Sequence, residues 1–395
     1  MAKVYIVGAK RTPIGKFGGS LASVSAQKLG ALAIDAAITE ADATKQLPID
    51  QVLMGNVLQA GLGQNPARQA SQLAGLGDAV PAMTLNDVCG SGLSAINTAV
   101  ALINAGQADI MVAGGMESMS NAPYVLDKAR FGYRMGDGQL KDTLLSDALI
   151  DAEGGFHMGI TAENIAREYT VSREDMDEFA YQSHQKALQA IETGHFDHEI
   201  TPVTIKTKKG EVVVNQDEGP RADTSIEKLQ KLRPTFEDDG TVTAGNASGI
   251  NDGAAAVVLA SAAAVEKYDL TPLAEWVDAS LVGLDPMRMG VGPYYAIQAL
   301  MQKQPHLALS DIDTFELNEA FAAQALATNR LLKLDASHVN PHGGALALGH
   351  PVGASGARVL VTLINELKAD SYGIAALCIG GGMGVSTLVK KGKII

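Results

Sequence analysis

The sequence predicts an α/β protein built from two like-folded halves, each an open mixed sheet covered by helices, with a long insertion in the first half. Three observations carry that expectation. The strongest is an internal repeat at a constant offset of 261 residues. Cys89 maps onto His350, Gly92 onto Gly353, Ser94 onto Ser355 and Val100 onto Val361, while Leu102-Ile103-Asn104 maps onto Leu363-Ile364-Asn365 and Ala108-Asp109 onto Ala369-Asp370. Self-similarity at a constant offset marks a duplicated structural unit. Secondly, strand-like runs alternate with helix-length amphipathic stretches in both copies, which implies two open sheets packed through their helices. Thirdly, of 395 residues, 46% are hydrophobic, 19% charged and 42 are glycine, a soluble α/β composition with close backbone packing.

Taken in order, residues 4–8 read as a short buried strand and Arg11-Thr12-Pro13-Ile14-Gly15 as the turn after it. The stretch 8–16 fails as a phosphate loop, because its glycines are too far apart and Phe17 stands where a magnesium-binding hydroxyl belongs. Residues 24–38 form an amphipathic helix, 49–58 a strand, 65–73 a helix, and 82–86 an extended run that leads into Cys89. Beyond Cys89, apolar residues recur at Leu93, Ile96, Val100 and Ile103, at helical spacing, and Gly106 marks the stop. Residues 110–113 make the next strand, ending in Gly114-Gly115-Met116-Glu117-Ser118-Met119-Ser120.

From 121 to 249 charge density rises and the repeat has no counterpart; this segment, with a helix over Arg173–Glu192, is expected to fold over the first half. Arg221, Lys228, Lys231 and Arg233 make it locally basic, which is as well explained by a solvated face. His195 and His198, with Asp197 and Glu199, lack a third distant ligand group, so no metal site is expected. Residues 254–260 return as a buried strand, 273–281 open the second half, and 312–317 form a strand ending in Asn318-Glu319. A last strand over 373–377 runs into Cys378-Ile379-Gly380-Gly381-Gly382-Met383-Gly384. The expected division is 1–120 plus 250–271, the insertion 121–249, and 272–395.

Composition also excludes. A net charge of −13 argues against nucleic acid and anionic membranes as partners. The chain shows no signal peptide and no apolar run of membrane-spanning length. Two cysteines give no disulfide framework, which fits a reducing cytoplasm.

The chemistry gathers at the repeat. A lone cysteine is more often core than catalyst. Here, however, Cys89 opens one helix, His350 opens its twin, and Cys378 ends a strand beside a glycine-rich turn. Unpaired N–H groups and the helix dipole at a helix start favour thiolate over thiol. A thiolate is an acyl acceptor that can leave again, an imidazole can take its proton, and a second thiol asks for a further proton transfer. The N–H of Cys89 and the glycines after Cys378 can line an oxyanion hole. The glycine spacing is wrong for a dinucleotide fingerprint, and the cysteines are too far apart in sequence for a C-x-x-C redox pair.

With these residues in view, the chain resembles the thiolase family along essentially its full length. The resemblance runs through Arg11-Thr12-Pro13-Ile14-Gly15, Cys89-Gly90-Ser91-Gly92, the 114–120 stretch, His157-Met158-Gly159, the run from Gly245 to Ala255, Asn318-Glu319-Ala320-Phe321, Gly349-His350-Pro351 and Cys378-Ile379-Gly380. It implies a layered αβαβα arrangement in which Cys89 carries the acyl group, His350 activates it and Cys378 moves the proton at the substrate α-carbon. Asn318 would hold a water that, with His350, forms one oxyanion hole, and the N–H groups of Cys89 and Gly380 would form the other. Coenzyme A would lie near His157, Met158, Arg221, Ala244 and Ser248, with Met289, Phe321 and Met383 helping Met158 close a small acyl pocket. No tightly bound cofactor is implied, only coenzyme A thioesters as substrate and product, and the loop from Met135 to Thr143 resembles one that builds homotetramers, dimers of dimers. The reaction implied is condensation of two acetyl-CoA to acetoacetyl-CoA and CoA, and its reverse. A degradative 3-ketoacyl-CoA thiolase is the alternative within the family. A condensing enzyme with two catalytic histidines is disfavoured by Cys378, and a non-catalytic scaffold by the intact reactive set. Three departures stand out: His342 where asparagine is frequent, placing a second imidazole near the site; Asp87 before the nucleophile, raising its pKa; and Tyr294-Tyr295 in place of smaller residues.

Overall fold

The computed structural model describes residues 3–392. The first half comprises β1 (Val4–Arg11), α1 (Ala26–Ala41), β2 (Gln51–Gly55), α2 (Pro66–Leu73), β3 (Ala82–Leu85), α3 (Ser91–Asn104) and β4 (Ile110–Ser118). The insertion carries α4 (Met158–Glu168) and α5 (Arg173–Glu192), after which β5 (Asn251–Ser261) returns to the first half. The second half follows with β6 (Ala274–Gly283), α6 (Gly292–Lys303), β7 (Ile312–Leu317), α7 (Ala322–Leu332), α8 (Ser355–Glu366), β8 (Tyr372–Ile379) and β9 (Met383–Lys390).

Local chemistry starts these helices. Ser25 and Ser172 cap α1 and α5 by accepting from the backbone N–H groups of Lys28 and Asp175, and Glu174 and Asp175 meet the positive end of α5. Asn65 caps α2, with Pro66 at its first position, where a missing N–H costs nothing.

The strands run in the order β7-β8-β9-β6-β1-β5-β4-β2-β3, with the two-residue strand Gly15–Lys16 beside β5. β2 is parallel to β3 and β4, β7 is parallel to β8, and the remaining main pairings are antiparallel. Two separate sheets were the expectation from the repeat. Instead, Val4, Tyr5 and Ile6 pair with Trp276, Glu275 and Ala274, joining the half-sheets edge to edge. The join is three residues long, and the layers on either side keep their own cores.

α3 and α8 lie between the half-sheets in one apolar cluster that includes Leu93, Ile96, Val100, Leu360, Val361 and Ile364. α1 and α2 cover the outer face of the first half-sheet, and α6 packs on that of the second. The result is the predicted αβαβα layering. α3 and α8 approach so closely that a Cβ on Gly92 would meet the backbone of Ala357, and one on Gly356 would strike Leu93. Only glycine fits there, and the repeat supplies it in both copies.

The insertion docks differently from expectation. α4 packs chiefly on the turn Pro286–Val291 and on α7, and α5 on the turn Ala345–Leu348 and α7, all in the second half, because Met158, Ile165 and Met176 share a cluster with Val291, Ala323 and Ala327. Contact with the first half combines a buried ion-pair set, in which Arg11 meets Glu199 and Asp217, with apolar packing of Val203 on the α1 layer and of Leu144 and Ala148 beside Cys89.

Candidate active site

Cys89 sits on a strained bend. Val88, a β-branched residue, holds a φ of 45°, and its N–H is steadied by Asn86 Oδ1 at 3.0 Å. Such a conformation is unfavourable for valine and persists only where the surroundings over-determine it, as they often do at reactive sites. A side chain on Gly90 would run into Ile379, so the bend is fitted against the end of β8. This brings the N–H of Gly380, together with that of Cys89 itself, onto the Cys89 sulfur.

The expected helix-start thiolate is not what this geometry produces. Cys89 is only 8% exposed, and burial pushes its thiol up to about 11 against the pull of those two N–H groups; Asp87 and Glu117 push the same way. α3 begins two residues later, at Ser91. At neutral pH Cys89 is therefore a thiol.

His350 is held in place by its own turn. Its backbone N–H donates to Asn251 Oδ1 at 2.9 Å, which fixes the turn into α8. Its Nδ1 lies 2.5 Å from Ser355 Oγ, and that hydroxyl is 3.0 Å from the carbonyl of Pro351. The hydroxyl has one proton; when it goes to Pro351, Nδ1 must donate to Ser355, and Nε2 is left as the acceptor. Burial, reinforced by the charge of Arg358, holds the imidazole down to about 4, so it is neutral across the physiological range. Asn318 Nδ2 lies 3.4 and 3.5 Å from the two ring nitrogens, while its Oδ1 is buried without a partner.

Cys378 is fully buried, and burial pushes its thiol far above the ordinary range; proximity to Cys89 adds to the shift. Met158, Met289 and Phe321 share an apolar cluster with Cys378. Met383 does not; it packs against the central layer. Around Cys89 the wall is made by Val57, Leu58, Met119, Leu144, Ala148 and Val352. Leu144 and Ala148 belong to the insertion, at the widened turn Leu145–Leu149, and no sequence signal pointed to them.

A titration follows from the neutral pair. Alkylation of Cys89 by iodoacetamide in the free enzyme should rise about tenfold per pH unit through the neutral range, because the thiolate fraction grows that way well below the thiol pKa. A plateau reached below pH 8 would mean a preformed thiolate–imidazolium pair. For the same reason peroxide should act slowly on the resting enzyme.

Glu117 was passed over in the sequence, although the 261-residue offset places it opposite Cys378. Strand register agrees: Gly55 pairs with Gly115 in the first half as Leu317 pairs with Ala376 in the second, so Asn56 and Glu117 are the twins of Asn318 and Cys378. Buried Glu117 accepts from Asn56 Nδ2 at 2.8 Å and from the N–H groups of Val57, Leu58 and Gly353 at 3.0, 3.3 and 3.0 Å. It ties the wall beside Cys89 to the loop that carries His350. Burial pushes its carboxyl up to about 7.

A cleft of about 300 Å³ opens beside the His350 turn, lined by Arg221, Ala244, Gly249, Asn251 and Gly349 among others. Two of the expected coenzyme A contacts, Arg221 and Ala244, thus line one groove, and Ser248 lies between lining residues, its N–H bonded to the Ala320 carbonyl at 2.9 Å. His157 instead caps α4, accepting from Gly159 N–H at 3.0 Å, and stacks on Phe236 with ring centroids 4.7 Å apart. A cleft of about 500 Å³ between α5 and α7 holds neither cysteine and no residue of the His350 turn. His342 is not beside His350 as expected: it stacks on His195 at 3.4 Å. Tyr294 and Tyr295 bridge two apolar clusters, one ring in each.

Duplicated α/β halves with cysteine and histidine on matching turns define a cysteine-dependent acyl-transfer enzyme. The chain belongs to the thiolase family: its residues 4–263 match the thiolase N-terminal domain and 270–391 the thiolase C-terminal domain. It is 54% identical over 394 residues to the acetyl-CoA acetyltransferase of Escherichia coli K12, covering 99% of this chain and all of that protein. The crystal structure of the Bacillus anthracis acetyl-CoA acetyltransferase superposes with a TM-score of 0.94 at 43% identity, over 99% of each chain. Human mitochondrial 3-ketoacyl-CoA thiolase matches equally well, with a TM-score of 0.94 at 43% identity over 99% of each chain.

Proposed function

We propose that this thiolase condenses two acetyl-CoA to acetoacetyl-CoA and CoA, and runs the reverse thiolysis, through an acyl group on Cys89. The observation that carries the reading is the closeness of two buried thiols, with Val352 of the His350 turn packed against Cys89 and the Gly380 and Cys89 N–H groups aimed at the nucleophilic sulfur. As Cys89 attacks the thioester carbonyl, its proton passes to His350 Nε2. The two N–H groups that face the sulfur are placed to stabilise the charge developing on the thioester oxygen. Collapse expels the CoA sulfur, which is reprotonated, and leaves acetyl-Cys89.

The second acetyl-CoA must lose a proton from its α-carbon, a weak acid. A base suited to that task has a high pKa, and burial gives Cys378 one once its own proton has gone to the departing CoA sulfur. The carbanion attacks acetyl-Cys89; Asn318 and His350 are placed to hold its enolate oxygen during the transfer. Cys89 then leaves and regains a proton.

Coenzyme A is read onto the cleft beside Arg221, Ala244 and Ser248, with Met158, Met289 and Phe321 limiting the acyl group. The loop on either side of Met135 leaves Phe131, Met135 and Leu140 mostly exposed. Apolar side chains in that setting suit a subunit contact, and a homotetramer is the reading that sedimentation velocity would test directly. No helix among the described residues is long and apolar enough to cross a membrane. A cytoplasmic setting remains the reading from the unpaired cysteines.

Chain length separates this function from the degradative alternative, which the likeness to the human enzyme keeps in view. A tail with a groove would gain about 0.8 kcal/mol per buried CH₂. The bulky side chains around both thiols offer a wall instead. We expect kcat/KM for thiolysis to fall from the four-carbon to the six-carbon 3-ketoacyl-CoA and to be very low at ten carbons. Methionines at the wall should make the decline gradual. A value that rises along the series overturns the short-chain assignment.

A further inference from the structure

His342, the residue that departs from the usual family pattern, meets two other ligating side chains outside the catalytic set. His195 comes from the turn after α5, His342 from the loop that precedes the His350 turn, and Glu366 is the last residue of α8. Their ligand-capable atoms all lie within 4.8 Å of one another, with His342 Nε2 and Glu366 Oε1 at 3.8 Å. The Glu366 side chain is only 2% exposed, and its oxygens meet no donor except the neighbouring carboxyl of Glu316, with which they share a proton. His195 Nε2 is buried without a partner. Orphaned polar atoms inside a protein carry a desolvation penalty that a ligand can remove.

The surrounding network buries four carboxyl groups, Glu199, Asp217, Glu316 and Glu366, against two guanidiniums, Arg11 and Arg358. Burial and their mutual repulsion push the Glu316 and Glu366 carboxyls up, and the two share a proton, which an ion entering here displaces.

We propose that His195, His342 and Glu366 form a site for one divalent transition-metal ion of the zinc class. Two imidazole nitrogens and one carboxylate oxygen are a donor set such ions prefer, and the ion takes the place of the proton held at Glu366. The imidazoles now stack face to face at 3.4 Å with 28° between planes. Binding requires the rings to splay and the donors to close to about 3.4 Å apart, the spacing of a tetrahedral site. The ion would pin the insertion to the second half. It would also steady the loop at Asn340, whose side chain bonds both backbone groups of Leu317, beside Asn318. The site is structural, and acyl transfer does not pass through it.

The test uses the untagged full-length enzyme, stripped with a chelator and then dialysed against a slight excess of ZnCl₂. Mass-spectrometric metal analysis should find about one zinc per chain, and saturation a thousandfold above Kd should raise Tm by about 5 °C. Both effects should vanish in His342→Asn and Glu366→Gln, with acyl transfer by His342→Asn intact as proof of folding. Cobalt(II) in the same site should give no thiolate-to-metal charge-transfer band. Three results would each overturn the proposal: a wild type that takes up no zinc, as a proton between Glu316 and Glu366 that the ion fails to displace would produce; equal zinc in His342→Asn; or a thiolate band, which would put the ion at Cys89 and Cys378.

Discussion

Cys378→Ala is expected to accept an acetyl group on Cys89 yet fail to make acetoacetyl-CoA, with turnover in condensation down a hundredfold or more, the scale of losing a positioned base. The division follows from where the thiols stand. In the proposed mechanism Cys89 gives its proton to His350, and two N–H groups face its sulfur; neither provision depends on the Cys378 sulfur. Cys378 lies against Met158, Met289 and Phe321, where the second acyl group must enter. Removing one sulfur atom from that wall leaves a small cavity, so the fold should survive with a modest loss of stability, of order 1 kcal/mol. Acid quenching after incubation with acetyl-CoA, followed by peptide mapping, reads the first step; formation of acetoacetyl-CoA reads the second. Stoichiometric acetylation of Cys89 with condensation at the wild-type rate would remove Cys378 from the reaction. Loss of both steps in a folded variant would show that the roles are not separable.

What the sequence disclosed, and what it withheld, divides along the same physical line. Helix α5 is legible because Ser172 and its acidic first turn announce the start, and β7 because a short apolar run ends in Asn318-Glu319. The pairing of Cys89 with His350 is legible because duplication writes it as a constant offset. Those signals are local, or depend on the chain's likeness to itself. The thiol pKa is neither. It is set by burial beneath segments of both halves, which outweighs the N–H groups of Gly380 and Cys89, and a helix-start argument applied to Cys89 alone predicts the opposite sign. The same holds for the docking of α4 and α5, for Leu144 and Ala148 beside the nucleophile, and for the meeting of His195 with His342. Each arises from contacts between segments that share no sequence pattern. Glu117 is the exception: the offset that revealed His350 also pairs Glu117 with Cys378.

His350→Asn should slow both half-reactions by about a hundredfold to ten-thousandfold, the range for a general base in the transition state. The asparagine keeps a polar group of similar reach but cannot accept the thiol proton. The pH profile makes the test specific. In the wild type the imidazole is held down to about 4, so it is already neutral at pH 6, and acylation should be nearly flat from pH 6 to 9. In the variant the thiol must ionise to water. With burial holding it up to about 11, the acylation rate should climb about tenfold per pH unit over the same range and narrow the gap to wild type as pH rises. Ser355→Ala is the companion. It removes the acceptor for Nδ1–H and frees the ring to adopt the other tautomer, leaving the base in place but part of the time misdirected. A loss nearer tenfold with a flat pH profile is expected there. A His350→Asn enzyme whose rate is as flat with pH as the wild type would mean that another group takes the proton from Cys89, and the acid–base assignment would have to move with it.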